Sequence, residues 1–136
     1  MVETDGTGAI TAINVFGPGG LSARLSGGAW TFYTFDPQGS VPDRQYNNGN
    51  PVVGALYDAW GNEKSAPVAG DPYGYNAQSG YYLDRETGLY YCQNRYYDPS
   101  LGRWLTPDPI GFGGGMNVYA YTGSNPVGAA DPLGYS

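Results

Sequence analysis

The stretch YYLDRETGLYYCQNRYYD, residues 81–98, decides the fold. It predicts two strands, Tyr81–Leu83 and Leu89–Tyr97, joined by the glycine-containing loop Asp84–Gly88 of a β-hairpin. Alternation along a strand sends successive side chains to opposite faces of a sheet. One face is then expected to carry Tyr90, Cys92, Asn94 and Tyr96, and the other Tyr91, Gln93, Arg95 and Tyr97.

Four copies of the motif Asp-Pro-x-Gly punctuate the chain, and each is typical of a type I β-turn. The Asp side chain can accept hydrogen bonds from the backbone ahead of it, Pro presets φ, and Gly accepts the exit geometry. The copies begin at Asp36, Asp71, Asp108 and Asp131, at intervals of 35, 37 and 23 residues. This unequal spacing favours hairpins laid side by side over a solenoid of identical coils.

Further strands are predicted beside glycine-rich turns, and no segment predicts a long helix. The pair Gly27-Gly28 is flanked by two of these strands and predicts a hairpin between them. Residues 116–121 are typical of either a short strand or one helical turn. The expected fold class is therefore all-β, a curved sheet of hairpins. The remaining strands are predicted at residues 9–16, 21–25, 29–35 and 51–60.

Composition excludes several classes of protein. The 14 tyrosines, four phenylalanines and three tryptophans can bury enough area for an ordered core, so the 23 glycines and 11 prolines are interpreted as turns rather than disorder. The net charge is −6 and the six basic residues are scattered, so nucleic-acid binding is not expected. No apolar run is long enough to span a bilayer, and Met1–Asp5 does not resemble a signal peptide, so any export would use another segment.

Catalytic chemistry is restricted by two residue counts. The chain has no histidine and a single cysteine, Cys92, which excludes Ser-His-Asp and Cys-His sites, an internal disulfide and a cysteine zinc cluster. We expect Cys92 to be a small buried side chain. No calcium-loop spacing is present, and no cofactor or metal is expected. If the chain is a catalyst, its carboxylates must do the work.

Residues 63–72 are the best candidate for a connection between two parts of the chain, because they contain no aromatic residue and two prolines. The predicted parts are residues 1–65 and 73–136, with 66–72 as the connecting loop. We expect the two parts to share one continuous sheet.

The second part of the chain resembles the RHS-repeat-associated core domain, and the resemblance is most specific over residues 81–134. Upstream, residues 57–62, Tyr-Asp-Ala-Trp-Gly-Asn, resemble a YD-repeat unit, and residues 35–41 resemble the segment that precedes such a unit. The core-like motifs, in order, are Arg95–Trp104, Asp108–Gly111, Gly114–Tyr121, Asn125-Pro126 and Asp131–Gly134.

The resemblance implies a wall segment of a hollow β-shell, with residues 1–65 as YD-repeat hairpins and 73–136 as the core segment. It also implies, as in many members of this family, a cut after the last Asp-Pro-x-Gly motif by paired aspartates. Carried onto this chain, Asp108 takes one aspartate position and Asp84 the other, with Glu86 as a nearby substitute. The bond that would be cut joins Tyr135 to Ser136.

Structural alternatives stand beside these assignments. Asp108 is also the first residue of a turn, and Pro107 precedes it where many self-cleaving members carry Arg. The tyrosine rows are interpreted as cross-strand ladders, with stacking on sugars as the alternative.

The leading hypothesis is a structural module, secreted or at the cell surface, that associates with neighbouring repeats of a longer chain or with copies of itself into a shell, tube or fibre. The first alternative is a self-cleaving aspartyl peptidase that releases a C-terminal effector, and the second is a carbohydrate-binding module.

Overall fold

The computed structural model describes residues 1–47, 49, 51–53, 55–65 and 70–135. They form ten β-strands and three short 3₁₀ turns, with no α-helix in the described part of the chain, which confirms the all-β prediction. The strands are β1 Val2–Thr4, β2 Ile10–Gly17, β3 Gly20–Ser26, β4 Ala29–Tyr33, β5 Asp43–Tyr46, β6 Pro51–Val53, β7 Tyr82–Asp84, β8 Leu89–Cys92, β9 Arg95–Asp98 and β10 Arg103–Trp104. The 3₁₀ turns are Ala77–Ser79, Gly111–Gly114 and Thr122–Ser124.

The first sheet is an antiparallel meander of six strands in the order β1 to β6. Its β3–β4 hairpin turns at Gly27-Gly28, where Ser26 pairs with Ala29 and both glycines have positive φ, 58° and 78°. A two-residue turn with positive φ at both positions matches the right-handed twist of the strands and strongly favours glycine. The hairpin predicted at this pair is therefore confirmed.

The second sheet contains four antiparallel strands in the order β10-β9-β8-β7. The prediction of one strand over Leu89–Tyr97 is wrong, because the chain reverses between β8 and β9 at Gln93-Asn94 and Cys92 pairs with Arg95. Gln93 adopts a left-handed conformation with φ of 35°. The reversal changes the parity of the strand, so Tyr90, Cys92, Arg95 and Tyr97 are all buried, while Tyr91 and Tyr96 are exposed.

Three further expectations differ from the structure. The strands form two hydrogen-bonded sheets rather than one continuous sheet. The strand predicted over Pro51–Trp60 ends at Val53, and the described residues 55–65 form an isolated bridge from Tyr57 to Glu63 and no strand. Residues 116–121 form a turn and a single bridge, from Ala120 to Arg103, instead of a strand or helical turn. The division of the chain at residues 66–72 stays a prediction, and residues 66–69 lie outside the described residues.

The core is built from tyrosines whose hydroxyl groups bind backbone carbonyls. The hydroxyls of Tyr75, Tyr90 and Tyr97 donate to the carbonyl oxygens of Ala59, Gly61 and Trp60 at 2.9, 2.8 and 2.7 Å. A buried phenol needs such a partner, because leaving it unpaired costs free energy. The larger cluster contains Tyr75, Tyr81, Leu83, Tyr90, Cys92, Tyr97, Trp104 and Tyr121. The smaller cluster contains Leu21, Tyr33, Val41, Tyr73 and Ala77.

The four Asp-Pro-x-Gly motifs use their aspartates as predicted. In each motif a carboxylate oxygen accepts a backbone N–H from a following residue: Gln38 onto Asp36 at 2.9 Å, Tyr73 onto Asp71 at 3.0 Å, Ile110 onto Asp108 at 2.9 Å and Tyr135 onto Asp131 at 2.9 Å. The Tyr81 hydroxyl and the Arg95 Nε donate to the carbonyl oxygens of Asp131 and Gly134, which holds the fourth motif against the second sheet, where the candidate site lies.

Candidate functional site

Two carboxylates converge on one buried arginine at the C-terminal side of the second sheet. Arg95 lies on β9 with its side chain 1% exposed, and its Nη2 is 3.1 Å from Asp131 Oδ2 and 3.5 Å from Asp108 Oδ2. Both aspartates begin Asp-Pro-x-Gly turns and both are buried. The two carboxylates therefore meet at a single guanidinium nitrogen, out of contact with bulk water.

Two of the three residues, Arg95 and Asp108, are held by further contacts. The Arg95 Nε donates to the carbonyl oxygen of Gly134 at 2.6 Å, and its guanidinium lies 4.2 Å from the centroid of the Trp104 ring. Asp108 is fixed through its backbone, whose N–H donates to the Val118 carbonyl oxygen at 2.8 Å. A cation over an indole face, held by charge-assisted hydrogen bonds, is a rigid arrangement. The site is therefore preorganised by the fold.

The Asp108 carboxylate and the carbonyl group of Tyr135 both border the space that a side chain of residue 114 would occupy. A Cβ atom added to Gly114 would sit 2.6 Å from Asp108 Oδ2 and 3.2 Å from the Tyr135 carbonyl oxygen. Only a glycine lets backbone and carboxylate approach this closely. The carbonyl of the bond predicted to be cut thus shares the space above Gly114 with one of the two carboxylates.

The charges of the cluster do not balance. One guanidinium faces two carboxylates, so the three side chains carry a net charge of −1 when both carboxylates are ionised. Of two carboxylates beside one peptide bond, one can accept a proton from water, and a carboxyl group protonated in this way can give a proton to the leaving nitrogen. The arrangement can therefore supply both groups that hydrolysis of a neighbouring peptide bond requires.

The structure places the predicted catalytic residues in different surroundings. Asp84 ends β7 in an exposed hairpin turn, where its carboxylate accepts the Thr87 hydroxyl at 2.8 Å and the Glu86 N–H at 3.0 Å. The bonds from Thr87 and Glu86 lower the pKa of Asp84. Among the described residues no hydrogen bond or ion pair joins Asp84 or the exposed Glu86 to Asp108. Their catalytic role stays a prediction, and Ser136 lies outside the described residues.

Asp131 and Arg95 were not singled out as site residues from the sequence. Asp131 belongs to the fourth turn motif and stands four residues before Tyr135, which was the available signal. Nothing local distinguishes it from Asp36, whose carboxylate bonds the backbone of its own turn. The pairing of Asp131 with Arg95 spans 36 residues, so it depends on the tertiary fold.

A second arginine–aspartate pair offers an internal comparison. Arg44 on β5 donates from Nε to Asp71 Oδ2 at 2.7 Å and from Nη2 to the Tyr73 carbonyl oxygen. The Tyr33 hydroxyl donates to the same carboxylate at 3.1 Å, and burial together with the Asp71 charge raises the pKa of Tyr33 far above its usual value. This pair contains a phenol where the Arg95 cluster contains a second carboxylate. The arginine–aspartate pair is therefore a structural element that the fold uses twice. Asp108 is the additional carboxylate that distinguishes the Arg95 cluster from the Arg44 pair.

Cys92 confirms the expectation of a small buried side chain. Its Sγ lies 3.6 Å from the Asp131 carbonyl oxygen and 3.5 Å from that of Pro132. Burial raises the pKa of the thiol to about 12. A thiol that stays protonated at neutral pH is a poor nucleophile.

One surface feature bears on the carbohydrate-binding hypothesis. Tyr91 and Tyr96 expose neighbouring rings with centroids 5.2 Å apart, so stacking on sugars stays a prediction.

Within the described ranges no helix has the length and apolar character needed to cross a bilayer. The same ranges contain no group of three or more His, Cys, Asp or Glu side chains that could hold a metal ion.

A family model for the OCRE domain matches residues 69–109, less than a third of the chain. The chain is 37% identical over 144 aligned positions to the tRNA3(Ser)-specific nuclease WapA of Bacillus spizizenii, an alignment that covers 99% of this chain and 6% of that protein. It is 37% identical over 119 positions to double-stranded DNA deaminase toxin A of Burkholderia cenocepacia, covering 83% of this chain and 8% of that protein.

The fold has a solved counterpart in a Tc toxin. The crystal structure of TcdB2-TccC3 without its hypervariable C-terminal region matches with a TM-score of 0.75 and 27% identity, covering 96% of this chain and 7% of that chain. The chain thus spans less than a tenth of each of these three relatives, although nearly all of it aligns to two of them. The chain is therefore related to RHS-type bacterial toxin proteins, in which its counterpart is one short segment.

Proposed function

We propose that this chain is a wall module of an RHS-type β-shell in a secreted or surface-displayed toxin protein. The observation that carries the proposal is the distribution of side chains on the first sheet, which has polar residues on its buried face and apolar residues on its open face. Its inner face buries Asn14, Arg24 and Arg44, whereas its other face is apolar and open. We call this second face the outer apolar face; its residues, placed together by strand register, are Val2, Ile13, Val15, Leu25, Trp30 and Phe32.

The outer apolar face needs a cover. Val2, Val15 and Phe32 are 53%, 40% and 48% exposed, and the rings of Trp30 and Phe32 stack at 6.4 Å. A contiguous exposed apolar patch marks an interaction surface. Because the three relatives named above are more than ten times as long as this chain, the proposed cover is a neighbouring turn of YD repeats in a longer protein. In its absence a second copy of the chain takes that place.

Both edges of the second sheet are covered, which favours association at the first sheet. In the second sheet the β7 edge is covered where the Leu83 N–H donates to the Pro72 carbonyl oxygen at 2.9 Å. The β10 edge is covered where the Trp104 N–H donates to the Tyr119 carbonyl oxygen at 3.0 Å. Covered edges cannot template pairing with another strand. Association is therefore expected at the first sheet.

Sedimentation velocity over a range of concentrations tests this part of the proposal. The parent chain should associate more as concentration rises, and high salt should not weaken the association, because apolar contacts are not screened. Phe32→Lys should abolish association, while Leu101→Lys, on an exposed loop residue, should retain it. A parent chain that stays monomeric at low and high salt would contradict self-association.

The Arg95 cluster favours a second function, cleavage of the chain after Tyr135 by Asp108 and Asp131. Water attacks the Tyr135 carbonyl carbon while the ionised carboxylate accepts its proton. A carboxyl group protonated in this way gives a proton to the departing amide nitrogen, and the C–N bond breaks. The new carboxylic acid on Tyr135 then gives its proton to the released amine, so that a carboxylate and an ammonium group are left. The support is the contact of both carboxylates with Arg95 and the space above Gly114 that Asp108 shares with the Tyr135 carbonyl.

Intact-mass measurement of the chain carrying a C-terminal extension tests the second function. The parent should be cut after Tyr135, and Asp108→Asn and Asp131→Asn should each slow cleavage by about 10² to 10⁴-fold, the usual contribution of a general acid or base. Asp71→Asn is the matched control, since it alters the same turn motif and the same kind of arginine pair far along the chain. An uncut parent, or equal cleavage in all four chains, would leave Asp108 and Asp131 with structural roles only.

A further inference from the structure

The segment of residues 131–135 lies on the second sheet like a bound peptide. We infer that side chains of this sheet determine which bond is cut by holding the backbone of this segment, so that the cut follows the first residue after Gly134 whatever that residue is. This inference rests on the proposed self-cleavage and goes beyond it, because it assigns positioning residues and a specificity rule.

Four consecutive carbonyl groups of the segment each accept a hydrogen bond from a side chain of the second sheet or its flanking turns. Three of the bonds are 2.7 Å or shorter, and the fourth is a thiol contact at 3.5 Å. The donors and acceptors are Tyr81 hydroxyl to Asp131 O at 2.6 Å, Cys92 Sγ to Pro132 O at 3.5 Å, Asn94 Nδ2 to Leu133 O at 2.7 Å and Arg95 Nε to Gly134 O at 2.6 Å.

Gly134 locks the register of these bonds. Its φ is 74°, a left-handed conformation that side chains rarely adopt. A Cβ atom added there would lie 3.2 Å from the Cys92 carbonyl oxygen, closer than ordinary contact. A shift of the segment by one residue would place Leu133 or Tyr135 at this position and would collide with β8. The backbone is therefore held in one register relative to the carboxylates.

The side chains of the segment are less engaged than its backbone. Leu133 and Tyr135 are 49% and 37% exposed. The Tyr135 backbone N–H, in contrast, donates to Asp131 Oδ1 at 2.9 Å. The carbonyl that shares the space above Gly114 with Asp108 Oδ2 is thus selected by its distance along the backbone from the four bonds. Residues after the cut play no part in this selection.

An insertion separates recognition of the backbone from recognition of Tyr135. In the full chain with a C-terminal extension, one alanine is inserted between Gly134 and Tyr135, and the products are identified by intact mass. The expected cut follows the inserted alanine, so tyrosine becomes the first residue of the released piece. In the companion variant Tyr135→Ala, the cut is expected at the parent position.

The outcomes distinguish failure of this inference from failure of the proposed self-cleavage on which it rests. A parent that is not cut overturns the proposed self-cleavage, and the inference with it. A parent that is cut, with an inserted chain cut after tyrosine or left intact, overturns the inference alone. So does a cut that moves when the sequence of the extension is changed.

Asn94 provides a second measurement. Asn94→Ala removes the bond to the Leu133 carbonyl, and we expect cleavage to slow by about 2- to 10-fold, the value of one hydrogen bond, with secondary cut sites appearing beside the main one. Gln38→Ala is the matched control, because its amide donates to the Val127 carbonyl oxygen at 2.9 Å, upstream of the segment. A merely structural Asn94 would change the midpoint of unfolding without adding cut sites, and that result would contradict the assignment.

Discussion

Asp71 and Asp131 make equivalent contacts, Asp71 with an arginine of the first sheet and Asp131 with an arginine of the second. Each is the first residue of an Asp-Pro-x-Gly turn, and each binds through Oδ2 a buried arginine carried by a β-strand: Arg44 at 2.7 Å for Asp71 and Arg95 at 3.1 Å for Asp131. In both pairs the arginine also donates to a carbonyl of the same turn. The two pairs differ in their third member, a tyrosine hydroxyl beside Asp71 and the Asp108 carboxylate beside Asp131.

This comparison predicts different effects on stability and on function. Asp71→Ala should lower the free energy of unfolding by about 3 to 5 kcal/mol, because it leaves the buried Arg44 without its carboxylate partner. Asp131→Ala should cost less, because Arg95 keeps its contact with Asp108 at 3.5 Å. Urea unfolding measures both losses. Only Asp131→Ala should also stop cleavage of the extended chain, compared under conditions in which both variants remain folded.

Asp36→Ala is the control for the stability effect. The Asp36 carboxylate accepts backbone N–H groups from Gln38 and Ser40, each at 2.9 Å. Its loss should therefore cost about 1 kcal/mol per bond. A loss at Asp36 as large as that at Asp71 would show that the turn, rather than the arginine pair, supplies the stability.

A substitution at Gly114 should disable the site without changing a titratable group. The Cβ of Gly114→Ala would lie 2.6 Å from Asp108 Oδ2 and 3.2 Å from the Tyr135 carbonyl oxygen, so one of them must move. We expect a loss of about 1 to 3 kcal/mol in the free energy of unfolding, typical of overpacking, and cleavage slowed at least tenfold. Intact mass and urea unfolding measure the two effects.

The neighbouring glycine is the matched control for Gly114. A Cβ added to Gly113 would meet only the side chain of Ile110, at 3.9 Å, which is ordinary contact. Gly113→Ala should therefore be cut at the parent rate. Equal cleavage by both alanine variants would mean that the approach of Asp108 to Tyr135 is not used in catalysis.

Local turn chemistry explains what the sequence predicted well. Paired glycines specify the β3–β4 hairpin because both need positive φ, and each Asp-Pro-x-Gly motif contains its own hydrogen-bond acceptor. The β8–β9 reversal carries no such signal, because Gln93 takes a left-handed conformation that neither glycine nor proline announces. Because this turn was not predicted, Arg95 was assigned to the face opposite Tyr90 and Cys92, although it lies on the same buried face. The arginine at the centre of the site was therefore not predicted.

The site depends on contacts that no local pattern contains. Asp108 was predicted from the sequence as a site residue, whereas Asp131 has the same local sequence as the other turn aspartates. The structure distinguishes Asp131, because its carboxylate and that of Asp108 both contact Arg95. Asp84 is also an aspartate in a turn, but its carboxylate accepts hydrogen bonds from Glu86 and Thr87 of the same loop. Burial and long-range pairing separate these aspartates, and both follow from how the C-terminal segment packs on the second sheet.

Alkaline conditions should unfold the chain. Burial raises the pKa of Cys92 from 9.0 to about 12, and burial followed by the charge of Glu63 raises that of Tyr57 from 10.0 to about 12. A raised pKa in the folded state gives stability that is complete below the unfolded value and is lost as the pH rises towards the folded value. The free energy of unfolding should therefore fall above pH 9.0, by up to about 1.4 kcal/mol per pH unit for each such group.

Urea unfolding at increasing pH checks this expectation. The loss should begin with Cys92, so Cys92→Ala should show a shallower decline between pH 9.0 and 10.0 than the parent. Above pH 10.0 the buried tyrosines add to the decline in both chains. A parent whose stability is unchanged across this range would show that these groups ionise without unfolding.

At the other end of the pH range, Glu3 should set part of the acid sensitivity. Burial of Glu3 disfavours its charge, but hydrogen bonds from Arg24 and Asn14 outweigh burial, so the pKa of this carboxyl lies below its usual value of 4.5. The two oxygens of Glu3 receive both terminal nitrogens of Arg24, at 2.5 and 3.1 Å. A lowered pKa gives stability that is present above pH 4.5 and is lost as the pH falls through the folded value.

Glu3→Gln should therefore lower the free energy of unfolding by about 1.5 to 3 kcal/mol at neutral pH, the range for a hydrogen bond to a charged group. The difference from the parent should shrink as the pH falls below 4.5, because the parent then loses the same charge. Glu86→Gln, on an exposed loop residue, should match the parent throughout. Urea unfolding at neutral and acid pH measures both variants, and a difference for Glu3→Gln that is independent of pH would show that its carboxylate charge is not what stabilises the edge of the first sheet.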